Sequence, residues 1–138
     1  MADLPTKISL TIVTRERKII DAQVDEVILP ATDGELGILP GHTPMLAMLG
    51  IGQIRYRQGA TVHRLVISWG FLEVLPDRVI VIAERGFLPE EIDRATAEQD
   101  RIAAERELAD LSSNDPEFTL VEARLEESIA MINVHREH

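Results

Sequence analysis

Up to about residue 87 the apolar positions recur with a period of two. Ile8, Leu10 and Ile12 alternate with polar neighbours, which predicts a strand with one buried face. Val24 to Leu29 is a second β-rich run, and Pro30, which has no N–H to give a ladder, is expected to stop it. Gln53 to Arg57 and Thr61 to Ser68 flank Gln58-Gly59-Ala60, while Phe71 to Leu75 and Arg78 to Ala83 flank Pro76-Asp77. Each pair predicts a β-hairpin. Val79-Ile80-Val81-Ile82 is apolar at both parities, as expected of a strand covered on both faces. Many short strands with frequent turns predict an all-β sandwich or barrel.

From Pro89 onward the glycines vanish and the period lengthens. Asp93 is placed to cap a helix over Arg94 to Leu111, and Ser112-Ser113-Asn114 breaks it. Asp115-Pro116 offers a second cap with proline at the first helical position. In the second helix Val121, Leu125, Ile129 and Ile132 form one stripe. The facing stripe is thin: Ala95, Ile102 and Ala109, with Gln99 and Arg106 in the same seam. Alanines bury little area at about 25 cal/mol per Å². An antiparallel helical hairpin built this way needs a surface to lie on, most simply the sandwich, and its docking is expected to be reversible. The boundaries are therefore residues 1–87 for the β domain and 88–138 for the hairpin.

Between the two β-rich halves lies Asp33-Gly34-Glu35-Leu36-Gly37-Ile38-Leu39-Pro40-Gly41-His42. Three glycines and a proline force tight turns, yet Leu36, Ile38 and Leu39 are apolar. The segment reads as a stiff surface lobe, its turns held by buried side chains, with Glu35 and His42 facing outward to touch a partner.

Composition narrows the function. The 138 residues suit one domain with an appendage, and 45% of them are hydrophobic at a mean hydropathy near zero. No cysteine is present, so disulfides, thiolate metal sites and cysteine nucleophiles are excluded. No run is long and apolar enough to span a bilayer, and the N-terminus has no basic-then-apolar signal, so the chain is expected to stay on the side of the membrane where it is made. The net charge of −10 is uneven: residues 1–88 carry nine Lys/Arg against ten Asp/Glu, residues 89–138 five Arg against fourteen acids. Few aromatics and no basic face argue against nucleic acid and against direct insertion into anionic lipid.

The segment Gly34-Glu35-Leu36-Gly37-Ile38-Leu39-Pro40-Gly41-His42 is similar to the Gly-Glu-(Leu/Ile/Met)-Gly-(Ile/Val)-x-Pro-Gly-His run of the epsilon subunits of bacterial-type F-type ATP synthases. Trp69-Gly70-Phe71-Leu72-Glu73-Val74 resembles the family's x-Gly-(Phe/Tyr)-x-Glu-Val strand, and the Val79 to Glu84 strand and Glu91-Ile92-Asp93 follow in the same order. The resemblance covers essentially the whole chain. It implies a ten-stranded β-sandwich followed by an α-helical hairpin. It implies a non-catalytic rotor subunit of the central stalk, bound to gamma, seated on the c-ring, and peripheral to the cytoplasmic face of the bacterial membrane. Asp33, Glu35, Gly41 and His42 match the segment that faces the c-ring loops. The hairpin would reach the catalytic alpha and beta subunits and restrain ATP hydrolysis, with Ile102, Val121, Leu125, Ile129 and Ile132 as its packing residues.

Two departures modify that expectation. Family members that bind ATP carry Ile/Leu-Asp-x-x-Arg-Ala on the hairpin, whereas here the stretch is Ile92-Asp93-Arg94-Ala95-Thr96-Ala97. Thr96 stands at the arginine position, and Arg94 lies about 200° away around a helix. This argues against regulatory ATP binding and leaves Ile92, Asp93 and Ala97 as a degenerate remnant; no cofactor is expected. The second helix and tail offer Arg124 and Arg136 among Glu117, Glu122, Glu126, Glu127 and Glu137, so inhibition through charge should be weak or rest on apolar packing.

Other chemistry reads as structure. Glu35 and His42 could form an acid–base pair, but a surface contact fits their spacing better. His135 and His138 read as a polar C-terminus before they read as metal ligands. Ser68 lacks the surroundings of a nucleophile elbow, and Gly34, Gly37 and Gly41 lack the spacing and lysine of a phosphate loop. Trp69 reads as core or edge packing, with contact to gamma as the other reading. Two further classes fit the residues: a stand-alone β-sandwich ligand-binding module with a dimerising helical tail, and a hydrolase using Glu35 and His42.

Overall fold

A computed structural model describes residues 4–136, with side chains to Val134. The β region holds seven strands: β1 (Ile8–Val13), β2 (Lys18–Val24), β3 (Glu26–Ala31), β4 (Gly34–Ile38), β5 (Met45–Gln58), β6 (Thr61–Leu75) and β7 (Arg78–Phe87). They form one sheet in the order β2-β1-β7-β6-β5-β3-β4, in which β1 and β7 are parallel and every other pair is antiparallel. All seven strands feed a single buried core, from Ile8, Leu10 and Ile12 through Val24, Leu29, Ile38 and Ile54 to Leu65, Leu72 and Val81. A single sheet can do this only by folding over on itself, so it acts as a sandwich.

The fold line explains why seven strands stand where ten were expected. In β5 the core-facing residues are Met45, Ala47 and Leu49, then Ile54 and Tyr56; in β6 they are Leu65 and Ile67, then Leu72 and Val74. Both strands change parity midway. In β7, Val79, Val81 and Ala83 face the core, while Phe87 faces outward. The change falls at one row, Gly50, Trp69 and Glu84, which the otherwise constant β5–β6 and β6–β7 registers skip. Long strands thus serve both layers by bending at a corner. Gly70 is obligatory there, since a Cβ on it would lie 2.1 Å from the Ile82 carbonyl oxygen.

Two local expectations change. Pro30 lies inside β3 and pairs with Glu35, because the β3–β5 register breaks between Ile28 and Ala31 and asks no N–H of it. Val79 to Ile82 is not covered on both faces: Ile82 is exposed and Ile80 half-buried. The turns at Gly59-Ala60 and Pro76-Asp77 form as expected.

After a 3-10 turn at Pro89–Glu91 come α1 (Arg94–Ala109) and α2 (Phe118–Arg136). The Asp93 carboxylate caps α1, accepting the Ala95 and Thr96 N–H groups at 3.0 and 3.4 Å. Asp115 caps no helix; its carboxylate accepts the Ser112 N–H at 2.7 Å and closes the loop, so α2 starts later than expected. α2 is buried on two opposite sides. Ala130 and Val134, with Met131, pack on Val66, Phe87 and Ile92. Val121 and Ile132, with half-buried Leu125, lie about half a turn round and face α1. Ser128 takes the place in that seam expected of Ile129, which is 40% exposed. On α1 the buried residues are Ala97 and Ala104, not Ala95, Ile102 and Ala109, and Ile102 is exposed. Small alanines let the backbones approach and give the larger α2 side chains their holes, which outweighs burying one isoleucine.

Candidate functional site

The lobe begins as a hairpin. Thr32 and Asp33 turn β3 into β4, an edge strand, and Asp33 and Glu35 are exposed. Half of the lobe is therefore regular strand: Gly37 lies within β4, opposite Ile28, and has no positive φ. Leu36 and Ile38 turn inward, but Leu39 is exposed and anchors no turn. Glu35 forms an ion pair with Arg55 of β5 at the rim of a hollow of about 270 Å³ that Pro30, Gly52 and Gln53 also line.

The far end of the lobe is tied to a different part of the sheet. Gly41 adopts φ +85°, which suits glycine, and its N–H donates to the Pro76 carbonyl in the β6–β7 turn at 2.7 Å. His42 is half-buried, its N–H reaching the Leu39 carbonyl at 3.2 Å. Its Nδ1 lies 2.7 Å from the Thr43 carbonyl oxygen, so Nδ1 carries the proton and donates. Asp33 with Glu35, and Gly41 with His42, thus occupy opposite ends of β4. No described contact joins Glu35 to His42, and the acid–base pair considered from the sequence is not assembled.

A second surface escaped the sequence reading. On the outer face of the second half of the β5–β6–β7 layer, Leu46 (78% exposed), Met48, Phe71 (60%) and Ile82 stand in the open. Phe71 pairs with Met48 on one side and Ile82 on the other, so the patch is continuous. With Ala47, Leu72, Glu73 and Ile80 it encloses a hollow of about 610 Å³. The signal was present: Met45 to Leu49 and Val79 to Ile82 are apolar at both parities. Such runs imply a covered face but do not name the cover.

The first half of that outer face is covered by α2, and a polar clamp holds it. Glu127 is largely buried; Ser68 Oγ of β6 donates to its Oε2, and Arg85 Nη1 of β7 lies 2.8 Å from its Oε1. The Arg85 guanidinium also stacks over Phe87, 5.0 Å from the ring centre. The linker is pinned separately: Arg17 meets Glu91 at 2.7 Å, and the Leu88 N–H donates to the same Glu91 carboxylate at 2.9 Å. The Arg17 hydrogen bond, then the Leu88 N–H, hold the Glu91 carboxyl below its ordinary range. Arg124, one of the two positive charges named on the second helix and tail, is paired with Glu107 of α1 at 2.8 Å.

The remnant of the nucleotide motif is committed to packing: Ile92 and Ala97 are buried, and Asp93 caps its own helix. His138 and the His135 side chain lie outside the described residues. Among the described residues no group of three His, Asp or Glu could hold a metal ion, and no helix is long and apolar enough to cross a membrane.

Residues 7–89 match the family described as ATP synthase, Delta/Epsilon chain, beta-sandwich domain. The chain is 41% identical over 128 residues to the ATP synthase epsilon chain of Syntrophobacter fumaroxidans, covering 93% of this chain and 95% of that one. It is 37% identical over 128 residues, 93% of each chain, to ATP synthase epsilon chain 2 of Syntrophotalea carbinolica. In fold it is similar to a chain of the Euglena gracilis mitochondrial ATP synthase, seen in a structure of its OSCP/F1/c-ring, with a TM-score of 0.82 over 99% of this chain and 85% of that one at 23% identity. The expected β-sandwich with two C-terminal helices is borne out, and this chain belongs to the epsilon-chain family of ATP synthases, as a non-catalytic subunit.

Proposed function

We propose that the chain is a central-stalk rotor subunit that grips gamma through its bare apolar face and rests on the c-ring through its lobe, at the cytoplasmic face of a bacterial membrane. One observation carries the reading: a continuous open patch of Leu46, Met48, Phe71 and Ile82 on an otherwise well-packed sandwich. An exposed apolar area of this kind marks a protein interface on a soluble chain. The lobe suits a seat that transmits torque. It is tied at one end to Arg55 and at the other to Pro76, so a push on Asp33, Glu35, Gly41 or His42 passes into the sheet. The hairpin, docked by one helix, is the regulatory part that would reach the alpha and beta subunits.

Two measurements test this. Leu46→Asp with Phe71→Asp should weaken binding of the full chain to gamma more than 100-fold, since two large apolar side chains lose about 1.5–3 kcal/mol each. Unchanged affinity would end the assignment of the face. Reversal of Glu35 to Lys together with His42→Ala should uncouple proton flow from ATP synthesis in reconstituted vesicles while gamma binding stays intact. Full coupling in that variant would remove the lobe from the c-ring contact.

A further inference from the structure

Trp69 is a bulky residue in a conformation that suits glycine. Its φ is +56°, and it is the one non-glycine with positive φ among the described residues. There the Cβ of an L-residue crowds the following carbonyl oxygen, and only Gly, Asn or Asp adopt the conformation routinely. The corner imposes it. Trp69 occupies the row that the pairing with β5 and β7 skips, between Ser68↔Arg85 and Gly70↔Ala83. The neighbouring Gly70 is pressed so closely on the Ile82–Ala83 backbone that it offers no room to redistribute the strain.

A glycine at position 69 would make the same corner without strain. The chain instead places its sole tryptophan there, 42% exposed. Nothing among the described residues accepts a hydrogen bond from its indole N–H. Packing within the isolated chain does not account for that choice, because much of the ring stays in water. Backbone strain held by a rigid surround, with a large amphipathic side chain at the surface, is a feature of functional positions.

We propose that Trp69 is the anchor residue of the gamma interface, filling an apolar pocket on gamma that offers an acceptor to the indole N–H. The inference rests on the assignment of the bare face to gamma. Trp69 lies two residues from Phe71 on the same strand, at the corner where the half that carries the Leu46–Met48–Phe71–Ile82 patch begins, and next in the chain to Ser68 of the α2 clamp. Charge selects among occupants: a second copy would bring its acidic hairpin, five Arg against fourteen acids, toward the equally acidic hairpin docked beside this face, and an anionic lipid surface would be repelled by the same acids. Tryptophan is enriched among the few interface residues that carry a disproportionate share of affinity.

The test uses the full chain and the gamma subunit of the same synthase, titrated by calorimetry, with Trp69→Gly, Trp69→Ala, Trp69→Phe and Phe71→Asp compared. Trp69→Gly and Trp69→Ala should weaken gamma binding equally, by about 30-fold or more. Trp69→Phe should recover part of the loss. Stability should separate the first two, because glycine accepts the backbone conformation and alanine keeps the strain; Trp69→Gly should melt about 3–5 °C above Trp69→Ala. In the unaltered chain the single indole should shift its emission to the blue when gamma binds. If Phe71→Asp abolishes binding while the Trp69 variants bind normally, the anchor is overturned and the face stands. If none of the four alters affinity, the face assignment falls with it. If affinity follows stability, with alanine worse than glycine, Trp69 is a structural residue and the proposal is wrong.

Discussion

The outer face of the β5–β6–β7 layer exists in two halves that meet at the Gly50–Trp69–Glu84 corner. In the first, Val66 and Phe87 lie under Ala130, Met131 and Val134 of α2, and the carboxylate of Glu127 beside them has both oxygens engaged. In the second, Leu46, Met48, Phe71 and Ile82 are as apolar and have no cover within the described residues. The same strands, with the same side-chain chemistry, end buried in one place and open in another. The difference lies in what the chain itself supplies. Among the described residues one helix, α2, reaches the first half and none covers the second, the face proposed above for a partner.

The sharpest way to test the contrast places the same charge in both halves. Val66→Asp puts a carboxylate where the side chain is wholly buried, and an unpaired charge there is intolerable. With the reversible docking expected of the hairpin, the cost is capped by the docking energy. The expected result is complete loss of amide protection in α2 with the sandwich core still protected. Phe71→Asp should leave protection unchanged everywhere. Equal effects of the two substitutions would erase the distinction between the halves.

A smaller effect should follow from the clamp. Glu127→Ala removes the acceptor for Ser68 and the partner of Arg85, bonds to a charged group worth about 1.5–3 kcal/mol. Exchange of α2 amides should accelerate by roughly 10- to 100-fold. Unaltered exchange would mean that apolar packing alone holds the hairpin.

The smallest effect is on the linker. Glu91 has its carboxyl lowered in the folded chain, so its contribution is present above the ordinary glutamate pKa and is lost as pH falls through the lower folded value. As pH falls below the ordinary glutamate range the Arg17–Glu91 bridge should open, and exchange at Leu88 to Ile92 should rise before the core does. Arg17→Ala should shrink that acid step to the part held by the Leu88 N–H while leaving the α2 clamp intact.

Local patterns read correctly where the cause is local. Alternation placed Ile8, Leu10 and Ile12 in a core, glycine and proline placed the turns at Gly59 and Pro76, and Asp93 was recognisable as a cap. They failed where a second body decides. The expected seam held Ala95, Ile102 and Ala109 facing a stripe with Ile129, yet Ala97, Ala104 and Ser128 occupy those places because helix approach favours small residues. Pro30 seemed a terminator until a register break beside it removed the need for its missing N–H. The lobe was legible as a motif, but its ties to Arg55 and Pro76, which make it stiff, join residues far apart in the chain.

By itself the amino-acid order determined the β-then-α division, the turns, the acidic hairpin and the family. The first three follow from φ preferences, periodicities and charge read over a few residues, and the family from the resemblance of motifs such as Gly34–His42. Only the tertiary structure decided where the sheet folds, that Trp69 bears the corner's backbone conformation, and which apolar strand face is left open. A hydrophobic side chain records that it needs cover, but the cover comes from whatever surface the whole chain, or its partner, brings against it.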